Sequence, residues 1–287
     1  VSIFVKKQIL HDQDLDNSLS VLYAAELLGG RSFGGNSLDE VAQSFKACDF
    51  NETWLDDRPW PNDIGHWTEE DFIASVNAVN PAVVVGSGHG TLSGLMRLHS
   101  ENIGRLRNTR PFFAISSACS AGCFYVSGGA TCIAEEFIRG TRATDGGAPI
   151  TDPEKGAWGI IANCGSGWYN TNNENSYSGG IMRRILARAT TGGNSVGAAL
   201  ALGRSDYWGA KVSGLGYARW TALDPNLLGD PAAWLHQDDL TLTSKNPFTA
   251  DFDAAGTSYP SATYTLKNNG SSSVAWSLTA PSWISVN

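Results

Sequence analysis

Two residues of this chain carry side chains suited to nucleophilic chemistry, and each one follows an apolar run. The segment Pro111–Gly122, P-F-F-A-I-S-S-A-C-S-A-G, is apolar up to Cys119 and continues in small residues. The segment Pro81–Gly90, P-A-V-V-V-G-S-G-H-G, ends with His89 between two glycines. A thiol becomes an effective nucleophile when a neighbouring group lowers its pKa or takes its proton. The pattern predicts two buried strands that deliver a thiol and an imidazole to one site.

The spacing of these two residues is compatible with neighbouring parallel strands. Cys119 lies 30 residues after His89 (119 − 89), which leaves room for one crossover connection. Parallel strands present their carboxyl ends at one edge of the sheet, where α/β proteins bind their ligands. The backbone N–H groups of Gly90 and Cys119 are candidates to hold the oxyanion of a tetrahedral intermediate. Together these groups predict acyl transfer through a covalent thioester.

Each of these residues also has a structural interpretation. A buried cysteine is often a small hydrophobic residue, and an isolated histidine is commonly a structural one. A zinc site built from His89 and the cysteines is disfavoured, because only one short Cys-x3-Cys spacing occurs and structural zinc sites usually show two tight pairs. The chain has five cysteines, an odd number that leaves at least one outside any intramolecular pair. Export would permit disulfide pairing among four of them, with connectivity left open: Cys48, Cys123, Cys132 and Cys164.

Composition limits the class of protein. Of 287 residues, 42% are hydrophobic and 17% are charged, which predicts a folded chain with a sizeable core. The formal net charge of −8 argues against nucleic acid or an anionic membrane surface as the main partner. No apolar run approaches the roughly 20 residues that a spanning helix needs. No signal peptide is apparent, which predicts either a cytosolic protein or a mature or trimmed form of an exported one.

Alternating strand and helix patterns predict an α/β sheet with helices on both faces. We expect strands at 1–10, 81–87, 111–118 and 156–163, and a surface loop at 49–65. Expected helices are 18–28, 38–47, 68–80, 131–139, 177–189 and 195–208, with a short one inside 92–108. From residue 240 the chain becomes rich in Ser, Thr and Asn, with β-like segments at 240–244, 262–266 and 274–278. We therefore predict two domains, 1–240 and 241–287, the second being the start or a fragment of an immunoglobulin-like β-sandwich.

The two strand-end motifs together resemble one group of enzymes. An apolar strand ending in His-Gly, followed by another ending in Ala-Cys, is shared by caspases, legumains and gingipains. The motifs S-G-H-G (87–90) and A-C-S-A-G (118–122) are most similar to T-G-H-G and A-C-x-N-G of the gingipain-type cysteine peptidases. Three flanking segments extend the resemblance over roughly residues 10 to 240: 131–139, A-W-G-I-I-A-N with the tryptophan after it, and N-L-L-G-D-P (226–231).

The resemblance implies a caspase-like fold and a cysteine endopeptidase that acts on proteins or peptides. By its motifs, His89 would be the general base and acid, Cys119 the nucleophile, and Gly90 with Cys119 the oxyanion hole. Trp168 would form one wall of the S1 pocket that binds the P1 side chain. Gingipains bind a basic P1 side chain through an acidic residue just before an early helix, a position for which Asp16 stands nearest and Asp14 is the other option.

The resemblance also bears on cofactors, localisation and completeness. No cofactor is required for the predicted chemistry, and no metal ligand is assigned. Structural calcium is compatible with the acidic loop His11–Asn17, although its spacing is not that of an EF-hand. The family implies a secreted or cell-surface bacterial protein.

The chain departs from the pattern in lacking the usual amino-terminal subdomain and in having Ala121 where the motif has asparagine. The competing hypothesis is a non-catalytic binding or adhesion module that keeps a peptidase fold.

Overall fold

The computed structural model describes most of the chain up to Leu235 and two short segments after it. The described residues are 2–13, 19–30, 32–59, 66–125, 131–139, 152–171, 173–211, 216–235, 240–244 and 264–268. The chain divides into two compact units, Val1–His236 and Gln237–Asn287. Among the residues described, no helix is both long enough and apolar enough to cross a membrane.

The elements alternate between strands and helices along the first unit. Its strands are β1 (Ser20–Ala25), β2 (Leu27–Gly29), β3 (Ser32–Phe33), β4 (Asn51–Asp56), β5 (Val83–Ser87), β6 (Gly90–Thr91), β7 (Gly94–Leu95), β8 (Leu98–His99), β9 (Phe112–Ser116), β10 (Ala157–Asn163) and β11 (Pro225–Leu228). Its helices are α1 (Ser2–Gln13), α2 (Gly34–Lys46), α3 (Glu69–Val79), the 3₁₀ helix Ser100–Arg105, α4 (Ile133–Arg139), α5 (Tyr177–Ala189), α6 (Val196–Lys211) and α7 (Gly216–Leu223).

One six-stranded sheet organises this unit, in the order β11-β10-β9-β5-β1-β4. Only β11 runs antiparallel to its neighbour; the other pairs are parallel. The register pairs Ala25 with Ser87 and Gly86 with Ser116. The carboxyl ends of β1, β5 and β9 therefore meet at the same edge of the sheet, as expected for the strands before His89 and Cys119.

The sheet has an apolar core on each of its faces. On one, which we call the α2 face, Val21 and Tyr23 of β1 pack with residues of α2, α5, α6 and α7. On the other, the α3 face, Leu22 and Ala24 of β1 pack with residues of α3, α4 and the 3₁₀ helix. The predicted mostly parallel α/β sheet with helices on both faces is confirmed.

Two predicted elements at the start of the chain are wrong in type. Residues 1–10 were expected to form a strand, but Ser2–Gln13 is a helix. Residues 18–28 were expected to form a helix because Leu19, Leu22, Tyr23 and Leu27 recur at helical spacing, but Ser20–Ala25 is a strand. All six residues of β1 are buried, because helices cover both faces of the sheet. A strand of this kind is apolar throughout and lacks the alternation that identifies a half-exposed strand.

The segment 49–65, expected to be a surface loop, contains β4. This strand lies at the edge of the sheet and its residues are only partly buried, which accounts for its polar sequence, N-E-T-W-L-D.

The helix predicted from Thr68 is confirmed as α3. The Thr68 hydroxyl accepts the Asp71 N–H, and the Asp71 carboxylate accepts the Thr68 N–H in return, which forms a capping box. The helices predicted at 38–47, 131–139, 177–189 and 195–208 are likewise present within a few residues.

The described residues of the second unit form one antiparallel pair of strands. Strands β12 (Leu240–Ser244) and β13 (Tyr264–Asn268) are antiparallel, with Leu242 opposite Leu266. The segment predicted at 274–278 lies outside the described residues. The immunoglobulin-like assignment of this unit remains a prediction.

Helix α1 buries a lysine, which gives a test of this part of the fold. The Lys7 ammonium donates to the carbonyls of Phe137 (3.2 Å) and Ala157 (3.1 Å), and burial lowers the pKa of Lys7 from 10.5 to about 7. Between these two values the unfolded chain binds a proton that the folded chain lacks, so stability rises with pH. We expect the free energy of unfolding to gain roughly 2 kcal/mol from pH 7 to pH 9 through Lys7.

Chemical denaturation of a Lys7→Met variant across this pH range measures the effect. The Lys7→Met variant should lose this part of the pH dependence, whereas Lys6→Met, which changes an exposed neighbour on the same helix, should retain it. Parallel pH curves for Lys7→Met and the unchanged protein would show that Lys7 is not buried in the folded state.

Candidate active site

His89 lies two residues beyond the end of β5, at the carboxyl edge of the sheet. Its backbone N–H donates to the carboxylate of Glu26, the residue that directly follows β1. A side chain at Gly88 would overlap that carboxylate, so glycine is required for the approach. The ring Nε2 of His89 lies 3.0 Å from the carbonyl oxygen of Leu27. A carbonyl can only accept, so Nε2 carries the proton and Nδ1 has the lone pair that a general base needs.

A buried ionic cluster holds the segment that contacts His89. The fully buried Asp57 carboxylate accepts the Leu27 N–H at 2.8 Å and pairs with Arg97 at 2.6 Å. Arg97 also lies 3.7 Å from Glu26, and its guanidinium lies over the ring of Trp67. The backbone of Leu27 is thus held on both sides, its N–H by Asp57 and its carbonyl by the ring of His89.

Glu26 is ionisable near neutral pH. Burial raises the pKa of Glu26 to about 7, while Arg97 and the His89 N–H oppose that shift. Sequence reasoning missed Glu26, although a signal was present: it stands directly after an apolar run, as Cys119 does. The run was interpreted as a helix, so its end was not recognised as a strand end.

Cys119 lies three residues beyond the end of β9 in a turn that its neighbours hold in place. Its Sγ accepts the Gly167 N–H at 3.2 Å, and its thiol is 3.7 Å from the Gly167 carbonyl. Ser120, the next residue, has φ of 54°, a left-handed conformation that is uncommon for a residue other than glycine. Such backbone strain persists only where the surroundings enforce it, and it is concentrated at functional sites.

The two motifs meet through their backbones. A Cβ atom added at Gly90 would lie 2.6 Å from the carbonyl oxygen of Cys119 and 3.3 Å from its amide nitrogen. It would also lie 2.8 Å from the Cβ of Ala118. The structure therefore places the residue after the predicted base against the predicted nucleophile. Their two amides, the predicted oxyanion donors, belong to the same small region.

Trp168 follows directly on the residue that contacts the Cys119 thiol. The backbone N–H of Trp168 donates to the Ser178 hydroxyl at 2.9 Å, and the Trp168 carbonyl accepts the backbone N–H of Ser178 at 3.0 Å. The ring is partly exposed and stacks at a tilt on Tyr217, 4.6 Å away. The neighbouring Tyr169 donates its hydroxyl to the Leu28 carbonyl at 3.0 Å, which connects this segment to the one that contacts His89.

The predicted acidic partner of a P1 side chain, Asp16, lies outside the described residues, as does Asp14. The helix that motivated this choice is a strand in the structure, as described above.

Sequence reasoning also missed a group of serine hydroxyls at the strand ends. The Ser37 and Ser87 hydroxyls are 3.0 Å apart, and Ser117 donates to Ser87 at 3.3 Å. Ser37 and Ser87 are both buried. Ser87 is the last residue of β5, and Ser37 lies in the first turn of α2.

All five cysteines are described, and all five are thiols in this structure. Across the described ranges, no group of three or more His, Cys, Asp and Glu side chains is arranged to hold a metal ion. Most of the acidic segment proposed for calcium, 14–17, falls outside those ranges. Residues 11–13, expected to begin that loop, form the last turn of α1.

Comparison with known proteins identifies a family and a similar fold. The profile of Peptidase family C25 matches residues 4–236. The fold resembles a solved complex of the pro- and mature domains of RgpB from Porphyromonas gingivalis, with 17% identity and a TM-score of 0.59. A second solved structure, described as a protease, has 14% identity and a TM-score of 0.59. No curated protein sequence matches the chain.

The structural alignments cover a larger share of this chain than of the two solved chains. The structural alignments include 85% and 88% of this chain but only 57% and 56% of the two solved chains. At these identities the structural likeness supports the fold alone. The family profile extends over most of the first unit, from α1 to the end of its described residues. The chain therefore belongs to Peptidase family C25, the gingipain-type cysteine peptidases.

Proposed function

We propose that this chain is a cysteine endopeptidase that hydrolyses peptide bonds through Cys119 and His89. The observation that supports this most directly is the contact between Gly90 and the Cys119 backbone, because it brings the two motifs to one place. Family membership makes peptide hydrolysis the expected reaction class. In this proposal Cys119, His89 and two backbone amides carry the reaction, and water is the second reactant.

The proposed reaction begins with the thiol. Nδ1 of His89 takes the Sγ proton of Cys119, and the thiolate attacks the peptide carbonyl carbon. The Gly167 N–H, which already donates to Sγ, stabilises the thiolate. The carbonyl π electrons move to oxygen, and the amides of Gly90 and Cys119 hold the oxyanion. His89 then protonates the departing amine, the C–N bond breaks, and a thioester remains on Cys119.

The second half returns the enzyme to its starting state. His89 takes a proton from water, and the resulting hydroxide attacks the thioester carbon. The carboxylic acid leaves and the proton returns to the sulfur. The Leu27 carbonyl accepts a hydrogen bond from the Nε2–H of His89 throughout the reaction. This hydrogen bond stabilises the imidazole ring when Nδ1 is protonated as well. We assign Glu26, Asp57 and Arg97 as positioning residues for His89 and for the backbone of Leu27.

We further propose that the substrate lies against Trp168 and that the P1 residue is basic. Trp168 is partly exposed next to the thiol, which suits a wall of the S1 pocket. The net charge of −8 favours cationic substrates by long-range attraction. As the resemblance to gingipains implies, we assign the charged contact with the P1 side chain to Asp16 or Asp14. We propose a secreted or cell-surface location, as in relatives of this family.

A covalent probe tests the mechanism and the P1 preference together. An acyloxymethyl ketone probe with arginine at P1 should label the chain at Cys119, since the thiolate displaces the carboxylate and forms a thioether. Labelling should disappear in Cys119→Ala and persist in Cys48→Ala, which changes a cysteine packed against the core of the α2 face. A probe with aspartate at P1 should label more slowly, by at least a factor of about 10 for a lost charge contact.

The outcomes are distinguishable. Labelling that survives Cys119→Ala would refute the proposed nucleophile. Equal rates with both probes would refute the basic P1 preference and leave the nucleophile supported. No labelling by either probe, in a correctly folded protein, would favour a non-catalytic binding module on this fold.

A further inference from the structure

The turn that carries Cys119 is held against the segment after β10 by an antiparallel pair of backbone hydrogen bonds. Ser120 donates to the Gly165 carbonyl at 2.7 Å, and Gly122 donates to the Asn163 carbonyl at 2.8 Å. We call residues 119–123 the nucleophile loop and residues 163–168 the exit segment. Each contributes one further cysteine at this junction, Cys123 and Cys164.

These two thiols are neighbours in space. Each cysteine directly follows one end of the 2.8 Å hydrogen bond between Gly122 and Asn163, so the two thiols lie at the same point of the junction. They are close enough to influence each other and the Tyr125 hydroxyl electrostatically. Both cysteines are partly exposed, so a soluble thiol reagent can reach them. The remaining two cysteines are poorly placed to compete. Cys132 is fully buried on the α3 face, so a soluble disulfide cannot reach it. Cys48 lies just before β4, at the opposite edge of the sheet from the nucleophile loop.

We propose that Cys123 and Cys164 are a disulfide-forming pair that covalently joins the nucleophile loop to the exit segment. The connectivity follows from the hydrogen-bonded junction, from the burial of Cys132 and from the place of Cys48 at the opposite edge of the sheet. The pair leaves Cys119 as a thiol, because its sulfur is engaged by the backbone of Gly167. An exported protein would meet the oxidising conditions in which such a bond persists.

The bond forms by thiol–disulfide exchange with a small disulfide such as glutathione disulfide. The Cys123 thiolate attacks one glutathione sulfur, which forms a mixed disulfide and releases one glutathione thiolate. The Cys164 thiolate then attacks the Cys123 sulfur and releases the second glutathione. Two protein thiols lose two protons and two electrons, and one disulfide donor becomes two thiols. Burial and the nearby Cys123 raise the pKa of Cys164 to about 11, so little of this thiol is thiolate near neutral pH and it is a slow first attacker.

The cross-link would act on the arrangement around Cys119. The exit segment carries Gly167, whose N–H contacts the thiol, and Trp168, the proposed wall of S1. A covalent bond would keep these groups in register with the nucleophile loop when thermal motion breaks the two backbone hydrogen bonds. It would also close a chain segment of 41 positions (164 − 123), which restricts the unfolded state.

The test uses the full chain, equilibrated in reduced or oxidised glutathione, quenched with acid, denatured and alkylated with iodoacetamide. Alkylation should modify five thiols in the reduced protein and three in the oxidised protein. Tryptic digestion should join the peptide ending at Arg139 to the peptide that begins at Gly156, with fragmentation placing the bond at Cys123. Oxidation should raise the Tm on the order of 5 to 10 °C.

Matched variants isolate the pair. In Cys123→Ser and in Cys164→Ser, the oxidised and reduced proteins should have the same Tm, whereas Cys48→Ser should retain the full shift. Five alkylated thiols in the oxidised protein, or a cross-link that ends at Cys119 or Cys132, would overturn the assignment. None of these readouts uses a substrate, so the result is independent of the proposed peptidase activity.

Discussion

Replacing Cys119 by alanine is expected to lower kcat/KM for peptide hydrolysis by about 10⁴- to 10⁶-fold, the loss typical of removing a covalent nucleophile. His89→Ala should cost a similar factor, because an unactivated thiol lacks a base to take its proton and an acid to release the amine. The double variant should be almost no worse than either single one. Two groups that act only together lose their whole contribution when either is removed.

Steady-state hydrolysis of a fluorogenic peptide with arginine at P1 measures these losses. Thermal denaturation should give similar Tm values for the variants and the unchanged protein, since both side chains are at the edge of the sheet. Cys48→Ala serves as the control for loss of a thiol as such and should keep its activity. Multiplicative losses in the double variant would indicate that Cys119 and His89 do not act as a unit.

The most useful sequence signal in this chain was the point at which an apolar run stops, which marks the end of a buried strand. It correctly predicted β5 and β9, and therefore the edge at which His89 and Cys119 lie. The same signal was present at Ala25–Glu26 but was missed, because β1 is buried on both faces and the large apolar residues of the segment 19–27 recur at helical spacing. An apolar run of this length does not distinguish a fully buried strand from a helix.

Other features depended on contacts that a single sequence does not contain. Arg97 occupies a tight turn between β7 and β8, where Met96 and Arg97 have φ of 52° and 58°. No local pattern indicates that this turn directs a guanidinium toward Glu26 and Asp57. The buried Lys7 presents the same difficulty, since a lysine in a polar context predicts exposure. Its partners, the carbonyls of Phe137 and Ala157, are more than 120 residues away in sequence.

The hairpin after His89 gives the second large prediction. Gly90→Ala should lower kcat/KM by about 10²- to 10³-fold, the factor associated with one lost oxyanion donor. The new Cβ would lie 2.6 Å from the Cys119 carbonyl oxygen, which is a backbone atom and cannot rotate away. Either β6 or the nucleophile loop must therefore shift. A displacement of about 1 Å at a reacting group can itself cost 10²-fold.

Gly94→Ala on the same hairpin is the matched control. Its Cβ would lie 3.1 Å from Thr91 Oγ1, a side-chain atom that can move, and neither glycine has a positive φ that would add backbone strain. Fluorogenic assays and Tm measurements on both variants separate damage at the site from general destabilisation. Activity of Gly90→Ala within about threefold of the Gly94→Ala value would contradict the close approach of the two motifs, and with it the role of the Gly90 amide. The expected result, a large loss at Gly90 with a small change at Gly94, requires that the nucleophile and the base share one rigid backbone contact.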